Sequence, residues 1–223
     1  MLRMLPVLVV FTITLVAIPA DAQDVSDILQ SAREAMGDPE ALDSIEYSGT
    51  GWVSNVGQSH TPADDWPRFE ITEYTRTISY GSGSSHETYI RRQGDFPARG
   101  GGTPLLGDQE RVFLTRGEHS WTMRGSDPVP QPGTASVRQV DIWMSPHGFL
   151  KAAAAAEDVT AVHLELEGRQ LTMLSFTAMD RYRLNGTINE QHHVERVQTW
   201  VANPIFGDMI YDHRYTEYQD FGG

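Results

Sequence analysis

A long series of strand-like segments after Ser44 constrains the fold of this chain more than any other feature. Ile45, Tyr47 and Val53 begin a pattern in which apolar and polar residues alternate, as they do in a half-buried strand. The alternation is clearest in the later segment that holds Leu164. The later strand-like segments are 68–80, 85–92, 111–116, 119–124, 161–167, 170–176, 180–189, 191–201 and 209–218.

Short turn sequences separate many of these segments. They are Gly81-Ser82-Gly83, Arg116-Gly117, Glu167-Gly168 and Asn203-Pro204. About ten strands joined by short turns in chain order favour a large antiparallel sheet. A sheet of that size has to curl to shelter its apolar face. We therefore expect an α+β fold that is mainly β, with a large curled antiparallel sheet, a half-open barrel, accompanied by an N-terminal helix and an inserted helical segment.

Helical periodicity occurs in two places. Between Val25 and Met36 the apolar residues share one face, Asp24 is placed to cap the helix, and Gly37 with Pro39 ends it. This pattern predicts an N-terminal helix.

The second helical segment is inserted among the strands. Ser145 and Pro146 have the pattern of an N-cap followed by proline at the first helical position, and 152–156 are all alanine. Before it, 94–107 reads as a glycine-rich loop and 127–133, with three prolines, as a stiff connection.

The first 22 residues have the pattern of an export signal. Arg3 supplies a positive charge, 7–18 form an uncharged apolar run, and 20–22 read Ala-Asp-Ala, a small-residue cleavage sequence. An apolar run of 12 residues is shorter than the roughly 20 that a membrane helix needs. We expect cleavage after Ala22 and a single mature domain over 23–223, periplasmic or secreted, with no stable membrane anchor.

Charge and cysteine content restrict the partners of this domain. The chain of 223 residues has a formal charge of −13, which disfavours nucleic acid and anionic membrane surfaces as partners. It has no cysteine, so it has neither disulfides nor the cysteine on which a lipoprotein carries its lipid.

The sequence shows no recognisable catalytic or metal centre. None of the eight histidines has HExxH or HxHxD spacing, no serine lies in a GxSxG turn, and 100–102 are not followed by Lys-Ser or Lys-Thr. His192 and His193 are adjacent in a predicted strand and would point to opposite faces. We therefore expect no catalytic, cofactor-binding or metal-binding residue in this chain.

Two further positions have a structural interpretation. Asn185-Gly186 is typical of a turn. His147 follows Pro146 at the start of the inserted helix, where the helix dipole disfavours a cation. We interpret His147 as a polar residue at a helix start.

The predicted strands are rich in aromatic residues. Aromatic side chains favour strands in any case, so a sheet core is one interpretation. The other is an apolar ligand cavity enclosed by the curled sheet and its helices. The candidate cavity residues are Trp52, Trp121, Trp143, Phe149 and Trp200.

Several stretches together resemble a known group of proteins. They are 143–153, 194–209 and 218–223, with the opening helix and 47–51. They resemble the N-terminal region of exported bacterial metallo-β-lactamase-fold hydrolases, a region similar to the outer-membrane lipoprotein carrier (LolA/LolB-like) fold. The resemblance implies a half-open antiparallel barrel covered by helices, natively followed by a zinc hydrolase domain.

The sequence departs from that group in its chemistry. It lacks the HxHxDH zinc-ligand motif, so the resemblance assigns no catalytic residue here. In the group, more strand sequence follows the stretch that corresponds to 220–223, so we expect the natural chain to continue. The resemblance implies a non-catalytic periplasmic accessory or binding domain ahead of a hydrolase domain. The alternative is a stand-alone periplasmic carrier of a lipid or other apolar ligand.

Overall fold

The computed structural model describes residues 17–19, 22–55, 59, 61, 63–95, 105–203 and 206–220. Within these ranges the chain is mainly β, with an N-terminal helix and an inserted helical segment, so the predicted fold class is confirmed. The strands form two six-stranded antiparallel sheets that do not close into a barrel.

The N-terminal sheet is a meander in which each strand pairs with the next one along the chain. The hairpin at Gly117 (φ 53°) uses the left-handed backbone conformation that glycine adopts without strain. The strands are β2 (Ser44–Ser54), β3 (Arg68–Ser79), β4 (Ser84–Gln93), β5 (Gln109–Arg116), β6 (His119–Arg124) and β7 (Asp127–Pro130).

The C-terminal sheet is a second meander, extended at one edge by a short strand from the start of the chain. Its first long hairpin turns at Glu167 (φ 53°) and Gly168 (φ 78°), as the sequence predicts. In sheet order the strands are β1 (Ala17–Pro19), β8 (Thr160–Leu166), β9 (Arg169–Ala178), β10 (Tyr182–Ile188), β11 (Val194–Asn203) and β12 (Gly207–Arg214).

Between β6 and the predicted inserted helix, one strand and one α-helix were not predicted. Part of the expected stiff connection 127–133 is the edge strand β7, in which Pro128 and Pro130 are partners of Met123 and Trp121. Proline has no N–H to donate, and it is tolerated at a sheet edge because no further strand there needs that donor. The other is the helix α2 (Ala135–Ile142), which follows a short 3-10 turn.

The two predicted helices are present. Helix α1 (Ala22–Ala35) begins before the predicted start, so Asp24 lies in its first turn instead of capping it. Helix α3 (Pro146–Ala155) begins as predicted: the hydroxyl of Ser145 accepts a hydrogen bond from the Gly148 amide at 3.2 Å. None of the described helices is long and apolar enough to cross a membrane.

The main core lies between the helices and the C-terminal sheet. Phe149 of α3 is fully buried and packs on Phe176 of β9, with ring centroids 5.2 Å apart. The prediction of a turn at Asn185-Gly186 is wrong, because both residues lie within β10. A Cβ at Gly186 would overlap the Phe149 ring, so this glycine allows the close approach of helix and strand.

Helix α2 connects the two sheets. Its Ile142 is fully buried against Ile78 and Tyr80 at the end of β3, in a small second core. The helix also contacts β4, β5 and β6. It therefore covers one end of the N-terminal sheet.

Several predictions fall on other parts of the chain. The export signal 1–22 lies outside the described residues apart from 17–19 and Ala22, and stays a prediction. Residues 96–104 of the predicted loop, 204–205 and 221–223 also lie outside them.

Candidate functional site

One face of the N-terminal sheet, here called the inner face, is turned toward α2. Alternation along β3 places Tyr74, Arg76 and Ile78 on this side, and Ile78 contacts Ile142 of α2. Residues that are paired with these positions on the neighbouring strands lie on the same face of the sheet. Arg76, for example, is the partner of Tyr47 on β2 and of Glu87 on β4.

Four aromatic rings form a continuous row on the inner face. Tyr47, Tyr74, Tyr89 and Phe113 come from the adjacent strands β2, β3, β4 and β5. Successive centroids are 6.0, 6.4 and 5.8 Å apart, within the range of favourable aromatic pairs. Tyr47 is 39% exposed and the other three are partly exposed. We call these four residues the aromatic row.

Arg91 and Arg111 lie next to this row on β4 and β5. Both Nε and Nη2 of Arg91 donate to Oε1 of Gln109, at 2.9 and 2.7 Å, and its guanidinium lies 4.7 Å from the Phe69 centroid. The Arg111 guanidinium lies 5.6 Å from the centroid of Phe113. Cation–π contacts of this kind stabilise arginine over aromatic faces.

Arg138 reaches the same row from α2. Its guanidinium lies 4.5 Å from the Phe113 centroid and donates to the Trp121 carbonyl oxygen at 2.9 Å and to Oγ1 of Thr122 at 3.3 Å. Arg111 and Arg138 therefore both lie at the Phe113 end of the aromatic row, and Arg91 lies beside Tyr89 along β4.

A charged network joins the two sheets at the other end of the row. Oδ2 of Asp141 on α2 lies 2.5 Å from Nη1 of Arg76, and Oδ1 lies 3.3 Å from Nε2 of His213 on β12. Nη1 of Arg76 also donates to the Tyr47 hydroxyl at 3.4 Å. We call Tyr47, Arg76, Asp141, His213 and Tyr215 the seam cluster, because it links β2 and β3 to β12 through α2.

Burial and neighbouring groups together shift the pKa values in and around this cluster. Burial acts to lower the pKa of Arg76, but Asp141 and nearby tyrosines outweigh it and raise the pKa above its usual value. Burial raises the pKa of Tyr215, and burial likewise raises the pKa of Glu87 against the opposing effect of Arg76. The guanidinium therefore stays charged and paired.

The geometry of His213 favours a structural role. Its Nδ1 lies 3.3 Å from the Tyr215 hydroxyl, which itself donates to the Met144 carbonyl at 2.8 Å, and its Nε2 faces Asp141. A general base needs a free ring nitrogen within reach of the reacting proton. Because both nitrogens of His213 have partners within the protein, the cluster is suited to joining the sheets.

The five predicted cavity residues are not gathered at one place. Trp121 is adjacent to the inner-face residue Thr122 and so lies on the outer face of the N-terminal sheet. Trp52, 58% exposed and covered by the Arg68 guanidinium at 4.3 Å, lies on the same outer face. Trp200 is 47% exposed on the C-terminal sheet.

The other two predicted residues lie near α3. Phe149 is fully buried in the main core. Trp143 lines a cleft of 470 Å³ between α3, β9 and the 3-10 turn Pro39–Ala41. Lys151 and Glu40 also line this cleft and form an ion pair of 3.8 Å.

The histidine predictions need one correction. His192 and His193 lie in the turn between β10 and β11, not in a strand, and His192 has φ 63°. The pKa of His147 is lowered, chiefly by burial and also by Lys151. Among the described residues, no three His, Asp or Glu side chains converge in a way that would hold a metal ion.

Sequence reasoning missed the arginines of the inner face. The pattern was visible, because Glu87, Tyr89 and Arg91 occupy alternate positions of β4 on the side that faces the interior. Charged residues in register with core-facing aromatics indicate a polar site inside a sheet.

No protein-family model matches the chain, and no curated protein or solved structure matches it. The resemblance to the N-terminal region of metallo-β-lactamase-fold hydrolases therefore stays a prediction from the sequence.

Proposed function

We propose that this chain is a non-catalytic binding domain that holds an apolar or amphipathic small molecule against the inner face of the N-terminal sheet. The observation that carries this proposal is the aromatic row, four adjacent rings on four adjacent strands, all partly exposed. A single exposed aromatic residue is ordinary, whereas a contiguous apolar surface bordered by polar groups is typical of a binding site.

The position of α2 supports the same proposal. This helix contacts β4, β5 and β6 and packs Ile142 on Ile78, so it covers the end of the inner face next to the second core. Burying about 300 Å² of apolar surface on the uncovered part contributes about 7.5 kcal/mol before the entropic cost of binding. That apolar contribution alone would correspond to a dissociation constant of about 3 μM, so with the entropic cost we expect dissociation constants weaker than about 10 μM.

Both hypotheses from the sequence are compatible with binding at this face, although the cavity residues predicted from the sequence lie elsewhere. In an exported accessory domain, the inner face would present an apolar substrate to the predicted downstream hydrolase domain. In a stand-alone carrier, the same face would shelter a lipid during transfer. The two differ in what receives the ligand, not in how this domain binds it.

A neutral naphthalene dye and a fatty acid test the proposal with purified protein. Tyr89 stacks between Tyr74 and Phe113, so Tyr89→Ala interrupts the aromatic row and should weaken binding of either ligand about tenfold. Trp200→Ala, which removes an exposed aromatic residue of the other sheet, is the matched control and should leave affinity within about twofold. Failure of both ligands to bind at concentrations up to about 1 mM, or equal loss in the two variants, would overturn the proposal.

A further inference from the structure

Three arginines of the inner face have no acidic partner. Among the described residues, no carboxylate oxygen lies within 4.0 Å of the guanidinium nitrogens of Arg91, Arg111 or Arg138. Burial lowers the pKa of Arg138, and Glu87 is close enough to oppose that effect but forms no ion pair with Arg138. These three arginines lie on one face without such a partner, although acidic side chains outnumber basic ones in the chain by 30 to 17.

Neutral groups hold two of these arginines in place. Arg91 is fixed by the Gln109 side chain and Arg138 by the Trp121 carbonyl and the Thr122 hydroxyl. Neutral partners orient a guanidinium without cancelling its charge. The positive charge of each of these two arginines is therefore available to an anionic ligand. Because both side chains are already ordered, less side-chain entropy is lost when the ligand binds.

Arg111 lies between the other two and is incompletely satisfied. Its Nε is buried and has no hydrogen-bond partner. Burial lowers the pKa of Arg91 and of Arg138, and the charge of Arg111 lowers both further. Repulsion among three cations and a buried unpaired donor both destabilise the ligand-free protein, a cost that a bound anion would offset.

We infer that Arg91, Arg111 and Arg138 bind the anionic headgroup, a carboxylate or a phosphate, of an amphipathic ligand whose apolar chain lies along the aromatic row. The inference rests on the proposed function and gives it a ligand class. Planar guanidinium groups suit the geometry of both anions. Phe113 contacts Arg111 and Arg138 and is also the last ring of the row, so the charged and apolar halves of the site are continuous.

Calorimetric titration of the whole chain with decanoate, decyl phosphate, decanol and inorganic phosphate tests the inference. Decanoate and decyl phosphate should bind about tenfold or more tightly than decanol, since a hydrogen bond to a charged group is stronger than one to a neutral group. Equal affinity for decanol would overturn the headgroup site while leaving the proposed function intact. If none of the three chain-bearing ligands binds, the proposed function itself fails. If inorganic phosphate binds as tightly as decyl phosphate, the coupling of headgroup and chain is refuted.

The substitution Arg111→Met distinguishes a role of Arg111 in ligand binding from a role in the stability of the fold. It should reduce affinity for decanoate to that for decanol and raise the Tm of the ligand-free protein, because it removes the unpaired donor and the repulsion. Arg92→Met is the matched control, since Arg92 lies next to Arg91 on the opposite face of β4. A lower Tm for Arg111→Met would show a structural role and overturn the inference.

The salt dependence of the unmodified protein gives a measurement that needs no variant. Affinity for decanoate should fall as sodium chloride is raised, while affinity for decanol should not fall. Parallel responses of the two ligands would contradict an arginine site for the headgroup.

Discussion

Asp141 is the residue whose loss should reveal how the two sheets are held together. Asp141→Ala removes the carboxylate 2.5 Å from Nη1 of Arg76 and 3.3 Å from Nε2 of His213. Arg76 is only 6% exposed, so its guanidinium would remain buried without an ion-pair partner. Breaking a buried pair in this way costs about 3–5 kcal/mol. Because Glu87 stays nearby and Asp141 is itself 22% exposed, we expect about 3 kcal/mol, the lower end of that range.

Urea denaturation and calorimetry measure this loss. For a domain of 150–250 residues each kcal/mol corresponds to about 2–4 °C, so Tm should fall by about 6–12 °C. Asp108→Ala, which breaks the exposed ion pair with Arg92 on the same sheet, is the control and should cost about 1 kcal/mol or less.

A second substitution tests the cause of the loss. Arg76→Met in the Asp141→Ala background removes the uncompensated charge and should restore much of the stability. The reasoning is refuted if Asp141→Ala costs less than about 1 kcal/mol, the value for an exposed pair. It is equally refuted if Arg76→Met adds a further loss to Asp141→Ala instead of reversing it.

Two more predictions concern the core and the helix start. Gly186→Ala places a Cβ into the Phe149 ring and should lower the free energy of unfolding, measured in urea, by about 1–3 kcal/mol. Adding Phe149→Leu should recover part of this loss. If the effects of the two substitutions are fully additive, the packing described is contradicted. Burial lowers the pKa of His147 in the folded state, so the unfolded chain binds a proton at this residue more readily. The free energy of unfolding should therefore decrease as pH falls from about 6.5, the pKa of the unfolded chain, to the lower pKa of the folded protein. His147→Gln should flatten this part of the profile, and an unchanged profile would exclude His147 as its source.

The sequence was informative where local signals agree. Strand β6 has the bounds that the alternation predicts, and the first hairpin of the C-terminal sheet turns at Glu167 and Gly168 as expected. The start of α3 was also predictable, because Ser145 and Pro146 determine an N-cap through local hydrogen bonding alone. Each of these features depends on residues close together in the chain.

The features that were missed depend on residues far apart in the chain. Gly186 reads as a turn residue in its local sequence, yet it lies in a strand because Phe149 packs against it. Strand β7 contains two prolines and forms only because β6 offers a free edge. Arg111 and Arg138 lie over the same Phe113 ring because α2 lies across the N-terminal sheet, a placement that no local pattern encodes.

The central claim is that ligand binds on the inner face of the N-terminal sheet. The most direct test is photo-crosslinking of the whole chain with a decanoate analogue that carries a diazirine on its chain, followed by peptide mapping. We predict adducts on β3, β4 and β5, close to Tyr74, Tyr89 and Phe113, which excess decanoate abolishes. Adducts concentrated instead at the cleft lined by Trp143, or spread evenly over both sheets, would contradict the account.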